Sequence, residues 1–226
     1  MKIAVLGTGM VGRAIAARLA ELGNDVTVGT RDVAATLART EPDGMGNPPF
    51  SAWAAAHPAV TPAAFADAAA EAELVISATS GAASLDALHA AGAGNLAGKV
   101  VLDIANPLDF SHGVPPTLFV KDTDSLGEQI QRTFPDARVV KTLNTMNAAL
   151  MANPRQLADG DHTAFVSGND SAAKKVATEL LASLGHRDII DLGDITTARG
   201  TEMLLSVWLR LFSALGTPNF NFKIVR

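Results

Sequence analysis

The sequence predicts a doubly wound α/β fold with a mostly parallel sheet, and three observations carry that expectation. Short apolar runs alternate with helix-length segments along nearly the whole chain. The first run, Lys2–Leu6, ends at once in a glycine-rich hexamer, Gly7-Thr8-Gly9-Met10-Val11-Gly12. A second apolar run at 25–29 then closes a βαβ unit of about 30 residues. A smaller α/β portion ending in a hydrophobic helix follows from about residue 151.

Each element has its own reason. Residues 2–6 are apolar with β-branched members, as a buried parallel strand requires. Residues 13–22 place Ala, Ile and Leu at helical spacing, and Gly23 supplies the stop. The run Asp-Val-Thr-Val-Gly at 25–29 is a strand. A polar Pro/Gly connection at 41–49 leads to a short helix at 50–56. An extended piece around Val60 is the third strand, after which Thr61-Pro62 opens an alanine-rich helix. Strands are expected at 74–78, 99–104 and 138–143, with helices at 83–91 and 124–134 between them. The pattern continues with a strand at 163–167, a helix at 171–184 before Gly185, and a strand at 188–192. A last helix runs from about 197 to 215 and an extended tail covers 219–226. Residues 1–150 form the nucleotide-binding domain and 151–226 the smaller portion, with the acceptor pocket and a dimer contact.

Composition excludes several chemistries. The 226 residues include no Cys and no Tyr, so disulfides, thiolate nucleophiles, Cys-ligated zinc and a phenolic acid are all absent. Apolar residues make up 48% and charged residues 18%, which suits a sizeable core. The net charge of −5 argues against nonspecific nucleic-acid binding. Even so, the stretch from Arg199 to the end holds 4 basic residues and 1 acidic one, a balance that suits an anionic small-molecule partner. The glycine turn begins by residue 7, leaving no room for a signal peptide, and no apolar stretch reaches the ~20 residues a bilayer needs. A cytoplasmic protein without membrane contact is expected.

The hexamer follows a strand and opens a helix, the context in which G-x-G-x-x-G binds a dinucleotide in a Rossmann-type unit. Gly7 permits the tight turn, Gly9 lets the backbone approach the pyrophosphate, and Gly12 brings helix and strand together. NAD sites place an acidic residue at the end of the second strand. Here that stretch reads Gly29-Thr30-Arg31-Asp32. Thr30 and Arg31 suit the 2′-phosphate of NADP, whereas a register two residues later would make Asp32 a ribose ligand and favour NAD.

Ligands of an open α/β sheet lie across the carboxyl ends of its strands. Three loops there combine small residues with a hydroxyl or an amide: Ser77-Ala78-Thr79, Ala105-Asn106 and Asn144-Thr145-Met146. No His, Lys, Asp or Glu ends those strands as a proton donor, because Asp103 and Lys141 lie inside theirs. The five histidines at 57, 89, 112, 162 and 186 show no ligand spacing and read as surface residues. Lys174 and Lys175 read as a solvated helix face. No metal constellation is present. Direct hydride transfer between two bound organic cofactors needs little acid–base help and fits this inventory.

The segments 1–12, 29–31 and 141–149, with the C-terminal Gly216 and Phe222-Lys223, resemble the NADPH-dependent reductases of coenzyme F420 over essentially the whole chain. That resemblance implies NADP(H) in the glycine turn and a deazaflavin over the nicotinamide, with hydride passing between nicotinamide C4 and deazaflavin C5. It assigns Thr8, Gly9, Met10 and Val11 to the pyrophosphate, and Thr30 and Arg31 to the 2′-phosphate. Ser77, Ala78 and Thr79 would border the cofactor's middle. Asn144, Thr145 and Met146 would lie beside the stacked rings, with 220–222 closing the pocket. The archaeal form of the pattern has histidine at 144 and proline at 147. An NADPH-dependent reductase of a flavin, carbonyl or imine is the alternative on the same scaffold, and a non-catalytic NADP(H) sensor is a third reading. The last helix is apolar nearly all round, so it packs either in the core or against a second copy in a homodimer.

Overall fold

Eight strands form one sheet in the computed structural model, which describes residues 1–42 and 46–226. They are β1 (Lys2–Leu6), β2 (Asp25–Thr30), β3 (Val60–Ala64), β4 (Leu74–Ser77), β5 (Val100–Asp103), β8 (Arg138–Thr142), β9 (Thr163–Gly168) and β10 (Asp188–Gly193). A separate small hairpin pairs β6 (Leu108–Asp109) with β7 (Thr117–Leu118). The sheet order is β3-β2-β1-β4-β5-β8-β9-β10. The first six strands run parallel, while β9 is antiparallel to β8 and parallel to β10. The expected doubly wound, mostly parallel architecture is therefore present, and the strands of residues 151–226 extend the same sheet.

Helices cover both faces because the strands alternate. Ile3 and Val5 of β1 face one apolar cluster, which holds Ile15 and Leu19 of α1 (Met10–Glu21) and Leu181 of α9 (Ser171–Leu184). Ala4 and Leu6 face the other. There they meet Phe65 of α4 (Phe65–Glu71), Leu88 of α5 (Gly81–Ala91) and Ile130 of α7 (Leu126–Thr133). Period-two alternation on a sheet covered on both sides produces this division. Shorter helices complete the layers: α2 (Val33–Leu37), α3 (Phe50–Ala56), α6 (Ala93–Leu96), α8 (Ala148–Ala152), α10 (Ala198–Met203) and α11 (Leu205–Leu215). Part of the 41–49 connection, residues 43–45, lies outside the described residues.

Four expectations need correction. Thr61 and Pro62 belong to strand β3 and not to a helix; Pro62 is registered with Val28, and α4 begins only at Phe65. The strand lies at the sheet edge, where a residue without an N–H is tolerated. The long terminal helix divides at Leu204 into α10 and α11, and only Leu205 of α11 is buried. Trp208 stacks on Phe212 and Phe220 at ring distances of 5.7 and 5.2 Å, while Val207, Phe212 and Leu215 remain exposed in the single chain. Lys174 is not free in solvent either, since it bonds Asp191 Oδ1 at 2.9 Å and the Gly193 carbonyl at 3.0 Å.

The fourth correction concerns His162 and His186, which are buried. Each Nε2 donates to a carbonyl, of Pro154 at 3.1 Å and Met151 at 3.2 Å respectively. Asn221 Nδ2 donates to His162 Nδ1 at 2.7 Å, whereas His186 Nδ1 has no partner among the described residues. Burial pushes the His186 pKa down to about 4. The unfolded chain therefore binds a proton below about pH 6.5 that the folded chain refuses until about pH 4. The stabilisation is complete above pH 6.5 and is lost as the pH falls through that window, by roughly 2–3 kcal/mol. Urea midpoints measured from pH 7 to pH 4.5 should fall more steeply for the wild type than for His186→Phe. Parallel profiles for the two proteins would refute this origin.

Candidate active site at the carboxyl ends of the strands

The sheet reverses direction of travel between β1 and β4, and such a switch point opens a crevice at the carboxyl ends of the strands. The glycine turn fills one side of it. Gly7 has φ 128°, and a Cβ there would lie 2.6 Å from the Ala78 carbonyl oxygen. A Cβ on Gly12 would lie 2.1 Å from the Gly7 oxygen, so this glycine lets α1 start directly over the turn. Gly9 differs, because a Cβ there meets nothing among the described residues within 4 Å. It caps α1 without a side-chain hydrogen bond, and no acidic residue occupies the helix's first turn. The N–H groups of the first turn therefore point outward with their partial positive charge available to an anion. Gly9 and Met10 are exposed and Thr8 and Val11 half-buried, which leaves the turn open to a phosphate from solvent. These are the features a dinucleotide pyrophosphate needs.

Thr30 is the last residue of β2, the position that reads the ribose. It is buried, with its hydroxyl 2.8 Å from the hydroxyl of Thr36 on α2. Arg31 is exposed beside it. The Asp32 carboxylate accepts from Ala35 N–H at 2.9 Å and so caps α2, which occupies it with its own helix. Sequence reasoning missed the remainder of this corner. A pocket of about 460 Å³ is lined by Thr8, Arg13, Thr36, Arg39, Pro49 and Phe50, among others. The Arg13 guanidinium donates to the Thr8 carbonyl at 2.7 Å and lies 5.6 Å from the Phe50 ring centroid. Arg39 is exposed at the rim. An arginine directly after the last motif glycine was the available signal for Arg13. Thr36 and Arg39 join the pocket only through the path of α2.

The remaining loops line up along the same edge. Ser77 and Ala78 are buried beneath the glycine turn, while Thr79 is half-buried, 3.2 Å from the Ser84 hydroxyl. Ala105 is buried and Asn106 half-buried. Asn144, Thr145 and Met146 are all buried. Asn106 and Asn144 join two loops reciprocally: Asn106 Nδ2 donates to the Asn144 carbonyl at 2.9 Å, and Asn144 Nδ2 donates to Asn106 Oδ1 at 3.0 Å. Asn144 Nδ2 also donates to the Thr201 carbonyl at 3.0 Å. Leu143 before it takes a left-handed backbone, φ 59°, to make the turn. Asn147 caps α8 and donates to the Pro218 carbonyl, bringing the C-terminal tail to this edge. Phe220 lies against Trp208, and the Phe222 carbonyl accepts from Thr163 N–H at 2.8 Å.

Beneath the amide pair sit three fully engaged charges. Lys141 Nζ donates to Asp103 Oδ2 at 2.8 Å, to the Ala105 carbonyl at 2.6 Å, and pairs with Glu202 Oε1 at 2.8 Å. The Lys141 and Asp103 side chains are fully buried. Glu202 also accepts the N–H groups of Leu126 and Gly127 at 2.8 and 3.0 Å, at the N-terminus of α7. Burial opposes the Lys141 charge, but the two carboxylates more than offset it and hold its pKa above the ordinary range. Burial also raises the Asp103 carboxyl, against the pull of Lys141. Against the expectation that no ionisable residue ends these strands, Asp103 is the last residue of β5, because the strand stops one residue early. A visible signal existed for one pair: Asp103 and Lys141 are charges in adjacent parallel strands, where apolar residues are the rule, and they fall in register. Glu202, on a helix 61 positions beyond Lys141, gave none.

No helix of the described residues is long and apolar enough to cross a membrane. Residues 2–107 match the family model for coenzyme F420-dependent NADP oxidoreductases. A structure from Arthrobacter sp. FB24, provisionally assigned as an F420-dependent NADP reductase, is 69% identical with all of both chains covered, at a TM-score of 0.96. The chain is 27% identical to metalloreductase STEAP3 of Rattus norvegicus over 96% of its own length, and it spans 38% of that relative. The imine reductase of Bacillus cereus BAG3X2 shares the fold, at 17% identity and TM-score 0.63, over 95% of this chain and 61% of that one. With its Rossmann-type sheet, open glycine turn and near-complete likeness to the Arthrobacter protein, the chain belongs to the family of F420-dependent NADP oxidoreductases.

Proposed function

We propose that this protein transfers a hydride between NADP(H) and a deazaflavin of the F420 type. One observation carries the reading. The ionisable groups nearest the ends of β4, β5 and β8, namely Asp103, Lys141 and Glu202, are turned inward and paired with one another, leaving amides, hydroxyls and backbone along that part of the edge. Such an edge can orient two rings without supplying a proton, which is what hydride transfer between cofactors requires. The likeness to the Arthrobacter protein supports F420 as the partner.

The chain's own residues divide the work. The first-turn N–H groups of α1 and the Gly9 backbone would hold the pyrophosphate, with Thr8, Met10 and Val11 around it. Arg31 would take the 2′-phosphate, with Thr30 and Thr36 placing α2 beside it. Ala78 and Thr79 would support the middle of the dinucleotide. Asn106 and Asn144 would present the strand-end loops to the rings. When bound, NADPH supplies the hydride and its reducing equivalents.

A flavin in place of the deazaflavin is the second reading, prompted by Asn144 standing where the archaeal form of the pattern has histidine. Both Nδ2 hydrogens of Asn144 are donated within the fold, to Asn106 Oδ1 and the Thr201 carbonyl, so it shapes the loop beside the rings without titrating near neutrality. Mixing the protein with NADPH and oxidised F420, and separately with a free flavin, distinguishes the acceptors. Loss of the deazaflavin absorbance in step with NADPH oxidation is the expected result. Tight NADPH binding with no turnover on either acceptor would instead support a sensor. Arg31→Ala should raise the NADPH Kd about 10- to 100-fold, the size of one lost charge-assisted contact. The NADH Kd should move less than about threefold, and equal losses would show that Arg31 does not read the 2′-phosphate. The exposed Val207, Phe212 and Leu215 of α11 support a homodimer through that helix, and a monomeric mass in sedimentation at micromolar concentration would remove it.

A further inference from the structure

The buried charges and the strand-end amides form one closed ring. From Lys141 Nζ the ring passes to the Ala105 carbonyl, along the backbone to Asn106, and across the reciprocal amide bonds to Asn144. Asn144 Nδ2 then reaches the Thr201 carbonyl, and the adjacent Glu202 returns to Lys141 at 2.8 Å. Asp103 braces the ring from inside: one oxygen accepts from Lys141 at 2.8 Å and the other from Ala105 N–H at 3.1 Å. Both backbone groups of Ala105 are therefore held, and the conformation of Asn106 follows from them. The three ammonium donors of Lys141 each have an acceptor, so no freedom is left in the lysine.

Stability alone does not account for such a ring. Apolar side chains of the same volume often stabilise a core as well as a buried ion group, or better. A charged hub does something apolar packing does not: it fixes direction and distance at several acceptors simultaneously. The ring also spans the boundary that matters, since Ala105 and Asn106 follow β5, Asn144 follows β8, and Thr201 and Glu202 lie on α10. The left-handed Leu143, a conformation uncommon for a branched side chain, is held between Lys141 and Asn144.

We propose that Lys141 and Glu202 are positioning residues, which set the separation and tilt of the Ala105–Asn106 and Asn144 loops and so the geometry in which the two redox rings meet. The proposal rests on the hydride-transfer reading for its kinetic consequence, but its structural consequence stands by itself. The ring touches neither the glycine turn nor the second-strand corner, so the phosphate contacts that anchor the dinucleotide should survive when it is broken and its affinity should change little. Misplacement of reacting groups by about 1 Å costs on the order of 100-fold in rate.

Two variants test it. Glu202→Gln removes one charge and keeps an acceptor for one of the two α7 N–H groups, those of Leu126 and Gly127. The pair Asp103→Asn with Lys141→Met removes the other two charges together, so that a folding failure of one variant leaves the other to decide. Three measurements are made on each: NADPH Kd by fluorescence, kcat and KM with oxidised F420, and amide hydrogen exchange. We expect a Kd change below about threefold, kcat lowered 10- to 100-fold with KM for F420 little changed, and exchange at 105–107 and 143–147 accelerated at least tenfold. Exchange in the glycine turn should not change. A folded variant with unaltered kcat, or with uniform exchange acceleration and unaltered loops relative to the rest, overturns the proposal. If the wild type turns over neither F420 nor flavin, the functional reading fails, and loop exchange alone then decides the positioning role.

Discussion

Gly12→Ala is expected to lower stability by at least about 2 kcal/mol net and to abolish dinucleotide binding. A Cβ at this position falls 2.1 Å from the Gly7 carbonyl oxygen and 3.0 Å from its carbon, both backbone atoms. Neither can rotate away, so α1 must lift from the turn or the turn must unwind. Overpacking of a rigid site typically costs about 1–3 kcal/mol and occasionally more, and a Cβ 2.1 Å from a backbone oxygen places Gly12→Ala at or above the top of that range. About 1 kcal/mol of helix propensity gained by alanine offsets part of that. In a chain of 226 residues the net loss corresponds to a fall in Tm of roughly 4–10 °C. Binding suffers more than stability, because lifting α1 moves the first-turn N–H groups that an anion requires. The adjacent control is Gly9→Val. A Cβ at Gly9 meets nothing among the described residues within 4 Å, so the fold should accept the side chain while the phosphate loses its place. Thermal melting and NADPH titration of both variants separate the two roles. Equal Tm losses for Gly9→Val and Gly12→Ala would contradict the division.

That contrast between two glycines of one motif marks how far a sequence reading carries. The hexamer, the strand before it and the helix after it were legible because periodicity and motif spacing are local. The doubly wound sheet followed from the same alternation, and α3 and α9 have the bounds that periodicity set. Pro62 misled because proline at a helix start and proline on an edge strand look alike until the sheet order places β3 outermost. His162 and His186 misled because histidine carries no burial signal of its own; the C-terminal tail covers one and the Met151 carbonyl of α8 engages the other. At the candidate site, the residues facing the crevice were legible from loop position. The ring beneath them was not, because Lys141 meets Glu202 only once α10 folds back across the carboxyl ends of β5 and β8.

The second large effect concerns that ring as a stability element. Lys141→Met is expected to cost about 3–5 kcal/mol, the range seen when one partner of a buried ion pair is removed. The loss is not that of one good contact. It arises because Asp103 and Glu202 remain fully enclosed with no cation between them, and the Ala105 carbonyl loses its donor as well. Adding Asp103→Asn should therefore recover at least about 2 kcal/mol. The amide still has an oxygen for the Ala105 N–H and brings an N–H₂ toward the vacated carbonyl, while Glu202 keeps the two α7 N–H groups as partners. Coupling of this size between groups 2.8 Å apart is what a double-mutant cycle resolves. Denaturant melts of the wild type, both single variants and the double variant supply the four corners. If the double variant is no more stable than Lys141→Met, the enclosed carboxylate is not the source of the loss, and the lysine's apolar packing is.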